Sequence, residues 1–196
     1  MCENTERKHT MPYVIGIAGG TAGGKSTFTD ALTIALSPLS VKVLHMDSYY
    51  KNEKDRPHVP SHLNGKIYTD DNCPECIDME RFIKDFSKGI ESDCDVVIAE
   101  GLFVLYTQEI KERLSLKLFV DCPSDERIVR RIRRNAEWGQ SFEDVTDVYL
   151  NMVRFRHEQY VEPTKWTADL IVNGSGDTEL AVSMLTGYVR SVIRKI

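Results

Sequence analysis

The stretch GGTAGGKST, residues 19–27, decides the fold of this chain. It contains the pattern G-x-x-x-x-G-K-S from Gly19 to Ser26, and it directly follows the apolar, β-branched run YVIGIA at 13–18. The residues after the glycines, 25–36, have a composition compatible with a helix. Glycines let such a loop curl until successive N–H groups point at one anion, and the positive end of the following helix reinforces this. The stretch therefore predicts a strand, an anion-binding loop and a helix.

The same stretch, called the glycine loop below, predicts binding of a nucleoside triphosphate together with Mg²⁺, and we expect the nucleotide to be ATP. In this pattern Lys25 reaches the β- and γ-phosphates, and the Ser26 hydroxyl is available to Mg²⁺. The alternative is a glycine-rich turn that only joins strand to helix, which the full pattern in this context disfavours. The chain lacks the N-K-x-D guanine-binding motif expected of a GTPase. We expect the nucleotide-binding residues to be Gly19, Gly20, Thr21, Ala22, Gly23, Gly24, Lys25, Ser26 and Thr27.

Length and composition indicate a globular protein with one domain. The chain has 196 residues, of which 41% are hydrophobic and 28% are charged, values typical of a soluble domain. We expect a flexible polar leader at 1–10 and a single domain at 11–196. The leader lacks the apolar core of a signal peptide, and no run of about 18 apolar residues exists, so we expect a cytoplasmic protein without a membrane span. We expect reduced thiols at Cys2, Cys73, Cys76, Cys94 and Cys122.

The order of apolar runs predicts an α/β fold. Strand-like runs at five places alternate with helical patterns, which indicates a parallel five-stranded sheet with helices on both faces. The predicted strands are 13–18, 41–46, 96–99, 116–120 and 170–172, and the predicted helices are 25–36, 78–88, 124–134, 142–160 and 179–193. The segment 51–74 is rich in Pro, His, Asn and Asp and is predicted to be a long loop, a feature more often functional than idle.

Two carboxylates stand at the ends of predicted strands, where ligands collect in open parallel sheets. Asp47 follows the second strand and is a candidate to accept a proton from a hydroxyl group or to hold a metal-bound water; the alternative is a helix cap or a turn aspartate. Glu100 follows the apolar strand 96–99, beside the expected glycine loop, and is a candidate Mg²⁺ position together with Ser26. A buried glutamate needs a partner, and we expect the metal or Lys25.

The stretch RIVRRIRR, residues 127–134, predicts a helix with one arginine face. At about 100° per residue, four guanidinium groups fall within an arc of roughly 100°: those of Arg127, Arg130, Arg131 and Arg134. The apolar residues on the other side, at 128, 129 and 132, would face the sheet. Guanidinium groups suit phosphate oxygens, so this face, the break at 138–140 and the new helix after Ser141 predict a hinged lid at about 134–145. The alternative is a solvated charged surface.

With these residues in hand, the chain resembles the uridine kinase and phosphoribulokinase-type family of P-loop kinases. The resemblance covers about 13–174 and rests on the order of GGTAGGKST, HMDSYY, NCPECID, VIAEG, LFVDCPSDERIVRRIRR and VEPTKWTADLIVNG. It implies a P-loop NTPase-type fold with a small helical lid. It implies that Asp47 is the catalytic base, that Lys25, Arg131 and Arg134 act on the transferring phosphate, and that Ser26 and Glu100 are the Mg²⁺ positions. It also implies an acceptor site containing Tyr50, Asp71, Asn72 and Arg131.

Two departures from that family bear on the acceptor. The chain passes from Phe86 through SKGIESDCD into Val96 without room for the family's nucleobase-clamping hairpin, and Trp138 and Gln140 stand where the family commonly has arginines. We expect an ATP-dependent kinase that phosphorylates a hydroxyl of a nucleoside-like small molecule, as uridine/cytidine kinases do. The alternatives are a nicotinamide riboside kinase-like acceptor and a catalytically reduced nucleotide-binding regulator.

Three further partners are weighed from the sequence. The arginine run suggests RNA, but the net charge of −5 and the pI near 5.6 argue against nucleic acid. Cys73 and Cys76 with His58 and His62 can be drawn as a zinc site, although these cysteines fall on the family's acceptor loop. The apolar pattern of 179–193 predicts packing on the sheet, and part of that helix is a candidate homo-oligomer interface.

Overall fold

The computed structural model describes residues 11–193, so the predicted leader at 1–10 lies outside the described residues. Five of the strands in this part of the chain form one parallel sheet in the order β2-β5-β1-β6-β7, and the other two pair as an antiparallel hairpin. The five-stranded parallel sheet predicted from the sequence is confirmed. The strands are β1 (Tyr13–Gly19), β2 (Val41–His45), β3 (His58–Pro60), β4 (Ile67–Thr69), β5 (Val96–Glu100), β6 (Leu116–Asp121) and β7 (Leu170–Asn173).

Helices connect the strands of the sheet, and residues 142–167 form one continuous helical segment. The α-helices are α1 (Lys25–Leu36), α2 (Met79–Ile90), α3 (Gln108–Lys111), α4 (Ser124–Glu137), α5 (Phe142–Val148), α6 (Arg154–Arg156) and α7 (Glu179–Ile193). Turns of 3₁₀ type lie at Met46–Tyr49, Glu53–Asp55, Pro74–Cys76 and Glu162–Thr167, and π turns at Tyr149–Val153 and His157–Val161 flank α6. The helix predicted over 142–160 is therefore present, with its last turns widened to π geometry.

Alternating side chains of β1 build a hydrophobic core on each face of the sheet. Ile15 and Ile17 pack with α1 and α7, whereas Val14 lies in the opposite cluster with Phe82 and Phe86 of α2. These residues are buried, and full burial of a large apolar side chain stabilises the fold by about 1.5–3 kcal/mol. β1 is the middle strand of the sheet and is covered on both faces. The glycine loop begins at its carboxyl end.

The predicted long loop at 51–74 contains regular structure, so that prediction is wrong. Strands β3 and β4 pair in antiparallel register, with Val59 opposite Tyr68. The turn between them closes through the N–H of Ser61, which donates to the Lys66 oxygen at 2.8 Å, and includes Gly65 at a φ of 70°. Strands of three residues carry too little alternation for a sequence pattern to reveal them.

The orientation predicted for α4 is also wrong. Its apolar side does not face the sheet, since Val129 is 46% exposed, whereas Arg127 and Asn135 are buried. The helix turns its arginine face inward, toward the glycine loop. Burying guanidinium groups is favourable where polar backbone groups and a bound anion can pair with them.

The C-terminal helix α7 packs on the sheet as predicted. Val182, Leu185 and Val189 lie in the core cluster with α1, whereas Leu180 and Met184 are largely exposed. This outer side remains the predicted candidate for a homo-oligomer interface. No helix within 11–193 has both the length and the apolar character needed to cross a lipid bilayer.

We expect the fold to lose stability in mild acid through His157. Burial and the Arg127 charge lower the pKa of this imidazole from 6.5 to about 4, against the opposing effect of Glu162. Between these values the unfolded chain binds more protons than the folded one. The free energy of unfolding therefore falls as the pH drops through this window, by on the order of 2 kcal/mol between pH 7.5 and 5.

Urea unfolding of the wild type and of His157→Gln at both pH values measures this contribution. The variant should show the shallower pH dependence, because all other titrating groups are common to the two proteins. Equal pH dependence in the two proteins would contradict the assignment.

Gly174, directly after β7, is expected to tolerate no side chain. Its N–H donates to the Asp121 oxygen at 2.6 Å, and a Cβ here would overlap the backbone oxygen of Gly23 and lie 2.9 Å from Val120 Cγ1. Gly174→Ala should therefore lower the free energy of unfolding by about 1–3 kcal/mol. The matched control is Gly176→Ala, where a Cβ would meet only Asn173 Nδ2 at 3.8 Å, and it should stay within about 0.5 kcal/mol. Urea denaturation compares them, and equal loss in both would refute the packing argument.

Candidate active site

The glycine loop forms a concave backbone surface at the end of β1. The chain curls here through left-handed backbone conformations: Gly24 has a φ of 95°, which glycine adopts without strain, and Ala22 has a φ of 56°, which is uncommon for a residue with a side chain. The N–H of Gly23 donates to the Gly20 oxygen at 3.0 Å. No side chain caps the N-terminus of α1, so its first N–H groups remain available to a ligand. This is the geometry of an anion site at a helix N-terminus.

Glu100, at the end of β5, is buried beside this loop and collects polar partners. Its Oε1 lies 3.8 Å from Lys25 Nζ, and its Oε2 accepts a hydrogen bond from Ser26 Oγ at 3.3 Å. Lys25, also buried, donates to the Gly20 oxygen at 3.2 Å. The structure thus brings together the predicted lysine, serine and glutamate.

His45 is a member of this group that the sequence interpretation missed. Its Nδ1 lies 2.9 Å from Glu100 Oε2, because parallel pairing of β2 with β5 places the two residues in register. The only sequence signal is the position of His45 at a strand end, two residues before Asp47. Register between distant strands cannot be obtained from that signal.

A cleft of about 1000 Å³ opens above the glycine loop and contains most of the predicted site residues. Asp47 reaches it from the 3₁₀ turn after β2, on the opposite side of the loop from α4. The predicted site residues that line this cleft are Thr21, Ala22, Gly23, Gly24, Lys25, Ser26, Thr27, Asp47, Tyr50, Asp71, Asn72, Arg131 and Arg134. Glu100, Gly19 and Gly20 are buried and are not among the residues that line the cleft.

One wall of the cleft is an interlocked group around Tyr50. The Tyr50 hydroxyl donates to the Asp71 oxygen at 3.0 Å, and burial, followed by the Asp47 charge, raises the pKa of this phenol well above its ordinary value. Arg56 stacks 5.0 Å from the Tyr50 ring centroid and pairs with Asp71 Oδ1 at 2.9 Å. Asp71 is therefore already engaged, and Arg56 is a cleft residue that the sequence interpretation missed. Asn72 is buried and lines the cleft next to it.

The β3–β4 hairpin adds a second unforeseen part of the wall. Tyr68 lines the cleft, and its hydroxyl donates to Asp147 Oδ2 of α5 at 2.8 Å. Ser61, buried at the hairpin turn, donates to Asn151 Oδ1 at 2.9 Å. These contacts join the hairpin to the helix that follows the predicted lid.

The arginine face of α4 lies against the glycine loop. Arg131 Nη1 donates to Thr21 Oγ1 at 3.0 Å, and Arg130 Nη1 donates to the Gly174 oxygen at 2.8 Å. Arg127 is buried, donates through Nε to the Cys122 oxygen and packs against Gly20. The sequence interpretation placed Arg127 on the arginine face but assigned it no specific role. A nucleic-acid contact would need these groups on an open surface, so their inward orientation opposes RNA binding.

Two buried guanidinium nitrogens on this face have no hydrogen-bond partner within the described part of the chain: Arg127 Nη1 and Arg131 Nε. Burial, and next the neighbouring Arg134 charge, lowers the pKa of the Arg131 guanidinium. An unpaired buried donor costs about 1–3 kcal/mol. The arrangement is therefore electrostatically suited to an anion.

The predicted lid region, 134–145, is ordered around a short polar network. Arg134 stacks 5.0 Å from the Trp138 ring centroid and donates through Nε to Asn135 Oδ1 at 3.3 Å. Asn135 in turn donates to Gln140 Oε1 at 2.7 Å. Gly139 turns the chain at a φ of 81°, and Ser141 caps α5 by accepting from the Asp144 N–H at 3.0 Å. Opening and closing of this lid stays a prediction.

The residues drawn as a zinc site do not converge. Cys73 and Cys76 are buried in the core, whereas His58 and His62 are exposed at the hairpin. A hydrogen bond with Cys73, followed by burial, raises the pKa of the Cys76 thiol, which disfavours the thiolate that binds metal. Within 11–193 no cluster of three or more His, Cys, Asp or Glu side chains is placed to hold a metal ion, and Cys73, Cys76, Cys94 and Cys122 are free.

Comparison of structures shows where this fold occurs. A protein from Silicibacter sp. TM1040, described as a candidate kinase of a fructose transport system, aligns with a TM-score of 0.62 over 85% of this chain and 92% of its own. A possible uridine kinase from Bacillus stearothermophilus aligns with a TM-score of 0.53 over 85% and 91%. At 16% and 18% sequence identity these likenesses establish the α/β kinase-like fold alone.

Comparison of sequences extends over nearly the whole chain. The uridine kinase of Lactiplantibacillus plantarum is 34% identical over 213 residues, which span 96% of this chain and 100% of that protein. The uridine kinase of Deinococcus deserti is 34% identical over 209 residues, spanning 94% and 99%. The family model "Phosphoribulokinase / Uridine kinase family" matches residues 82–181. Together with the glycine loop and the cleft above it, these similarities establish that the chain belongs to the phosphoribulokinase / uridine kinase family of kinases.

Proposed function

We propose that this protein is an ATP-dependent kinase that transfers the γ-phosphoryl group to a hydroxyl of a nucleoside-like acceptor, as a uridine/cytidine kinase does. One observation carries the proposal. A single cleft is lined by the anion-binding loop, by the Asp47 carboxylate and by Arg131 and Arg134 from a separate helix. Phosphoryl transfer needs these components together, because the enzyme must hold the triphosphate, orient the attacking hydroxyl and stabilise the migrating charge.

Each residue has a role that follows from its position. The glycine loop N–H groups and Lys25 hold the phosphates of ATP, and Arg131 and Arg134 stabilise charge on the group in transfer. Asp47, exposed in the cleft wall, accepts the acceptor's hydroxyl proton or orients that hydroxyl for attack. The neutral Tyr50 phenol, Asp71 and Asn72 form the acceptor side.

Ser26 and Glu100 would hold Mg²⁺. Both offer hard oxygen ligands of the kind this ion prefers, and their side chains lie within 3.3 Å of each other beneath the phosphate site. Bound Mg²⁺ would neutralise charge on the β- and γ-phosphates. Lys25 and His45 keep the Glu100 carboxylate paired and fixed in orientation.

A nucleoside acceptor is supported by relatives named uridine kinase at 34% identity. The differences between this chain and the uridine kinase pattern concern the binding of the nucleobase. Only five residues, 91–95, separate α2 from β5, so the base-clamping hairpin expected of uridine kinases is absent between these described elements. Tyr68 and Arg56 of the β3–β4 region line the cleft instead. For this reason a nicotinamide riboside-like acceptor remains the second candidate. A cytoplasmic location of the protein stays a prediction.

Asp47→Asn should lower kcat by about 10²–10⁴-fold, the usual contribution of a general base. Binding of ATP, measured by calorimetry, should change less than twofold, since Asp47 belongs to the 3₁₀ turn after β2 and not to the phosphate loop. The matched control is Asp30→Asn on the exposed side of α1, which should leave turnover unchanged. Retention of more than a tenth of wild-type turnover in Asp47→Asn would remove the base assignment.

The acceptor class is tested by ADP release from ATP and Mg²⁺ with uridine, cytidine, nicotinamide riboside or no acceptor. We expect release at least tenfold above the no-acceptor rate with uridine or cytidine. Stimulation by nicotinamide riboside alone would favour the second candidate. ATP binding without stimulation by any acceptor would support the catalytically reduced regulator.

A further inference from the structure

Trp138, at the C-terminal end of α4, exposes a large aromatic surface inside the cleft. The side chain is 66% exposed and belongs to the cleft wall. The indole follows Arg134 by one helical turn and precedes the turn at Gly139. Exposing so much apolar surface to water is unfavourable, and a large exposed aromatic group in a cleft therefore indicates a ligand that covers it.

One side of the indole is already occupied, which fixes the orientation of the ring. The Arg134 guanidinium stacks 5.0 Å from the ring centroid, and the hydrogen bonds from Arg134 to Asn135 and from Asn135 to Gln140 brace that guanidinium. An arginine stack covers one face of an indole. With 66% of the side chain still exposed, the remaining surface is open to the cleft.

We propose that Trp138 is a stacking residue for the planar aromatic ring of a bound nucleotide or nucleoside. The inference rests on the proposed function, in which both substrates carry such a ring: the adenine of ATP and the base of the acceptor. Aromatic side chains bind bases of any sequence because every base has a π face. In this proposal an aromatic residue binds a ring at a lid position where the family commonly has an arginine.

The alternative is that Trp138 only positions Arg134. That role uses a single face of the indole. Removal of the indole would then weaken the binding of every ligand that Arg134 contacts to the same extent. In a stacking role, removal of the indole weakens the binding only of ligands that carry an aromatic ring. Inorganic tripolyphosphate, which occupies the phosphate site without a base, separates the two roles.

Intrinsic fluorescence reports the contact directly because the chain has two tryptophans. Trp166 lies in the 3₁₀ turn Glu162–Thr167, is 79% exposed and does not line the cleft, so Trp166→Phe leaves Trp138 as the sole reporter. In this variant we expect ATP or uridine to quench the emission and tripolyphosphate to leave it nearly unchanged. The ligand that quenches identifies which ring stacks. In the reciprocal variant, Trp138→Phe, the quenching should be lost.

Calorimetric affinities of Trp138→Ala complete the test. The ligand whose ring stacks should bind about tenfold more weakly, tripolyphosphate should bind within twofold of the wild type, and Trp138→Phe should restore most of the affinity. Equal weakening of ATP and tripolyphosphate would show a positioning role and overturn the proposal. Binding of ATP and uridine without quenching would also overturn it and leave the proposed function intact, whereas failure of the wild type to bind ATP at all would overturn both.

Discussion

The architecture of the site depends on one buried carboxylate. Glu100 ends β5, an apolar interior strand of the sheet, where an unpaired charge would cost several kcal/mol. Its pairing with Lys25, Ser26 and His45 offsets that cost and also ties together β5, the glycine loop and β2. The contacts that make the buried charge tolerable therefore also fix the glycine loop relative to the end of β2, which precedes Asp47.

The arginine helix shows how charge decides orientation. An amphipathic helix beside a sheet normally buries its apolar stripe, yet α4 leaves Val129 half exposed and turns Arg127, Arg130 and Arg131 toward the loop. Backbone oxygens and a hydroxyl group accept hydrogen bonds from some of the guanidinium nitrogens. Two buried guanidinium nitrogens on this face have no hydrogen-bond partner in the described residues. This orientation is consistent with a site that reaches its full pairing when an anion is bound.

The proposed acceptor side of the cleft is assembled from segments far apart in the chain. Two side-chain hydrogen bonds, Tyr68 to Asp147 and Ser61 to Asn151, join the β3–β4 hairpin to the helical segment that begins with α5, next to the predicted lid. The hairpin lies where the sequence indicates only a polar loop. It lines the cleft in a chain that has no room for the family's hairpin between α2 and β5.

The sequence by itself determined the parallel sheet, the glycine loop and the candidates Lys25, Ser26, Asp47 and Glu100, because these follow from local composition, spacing and position at strand ends. Tertiary structure alone decided the partners that depend on register and packing. His45 meets Glu100 only through parallel strand pairing, and Tyr68 reaches the cleft only because its short strands pair with each other. The direction of the arginine face was likewise settled by burial and pairing, since helical periodicity specifies which residues share a face and not which face turns inward.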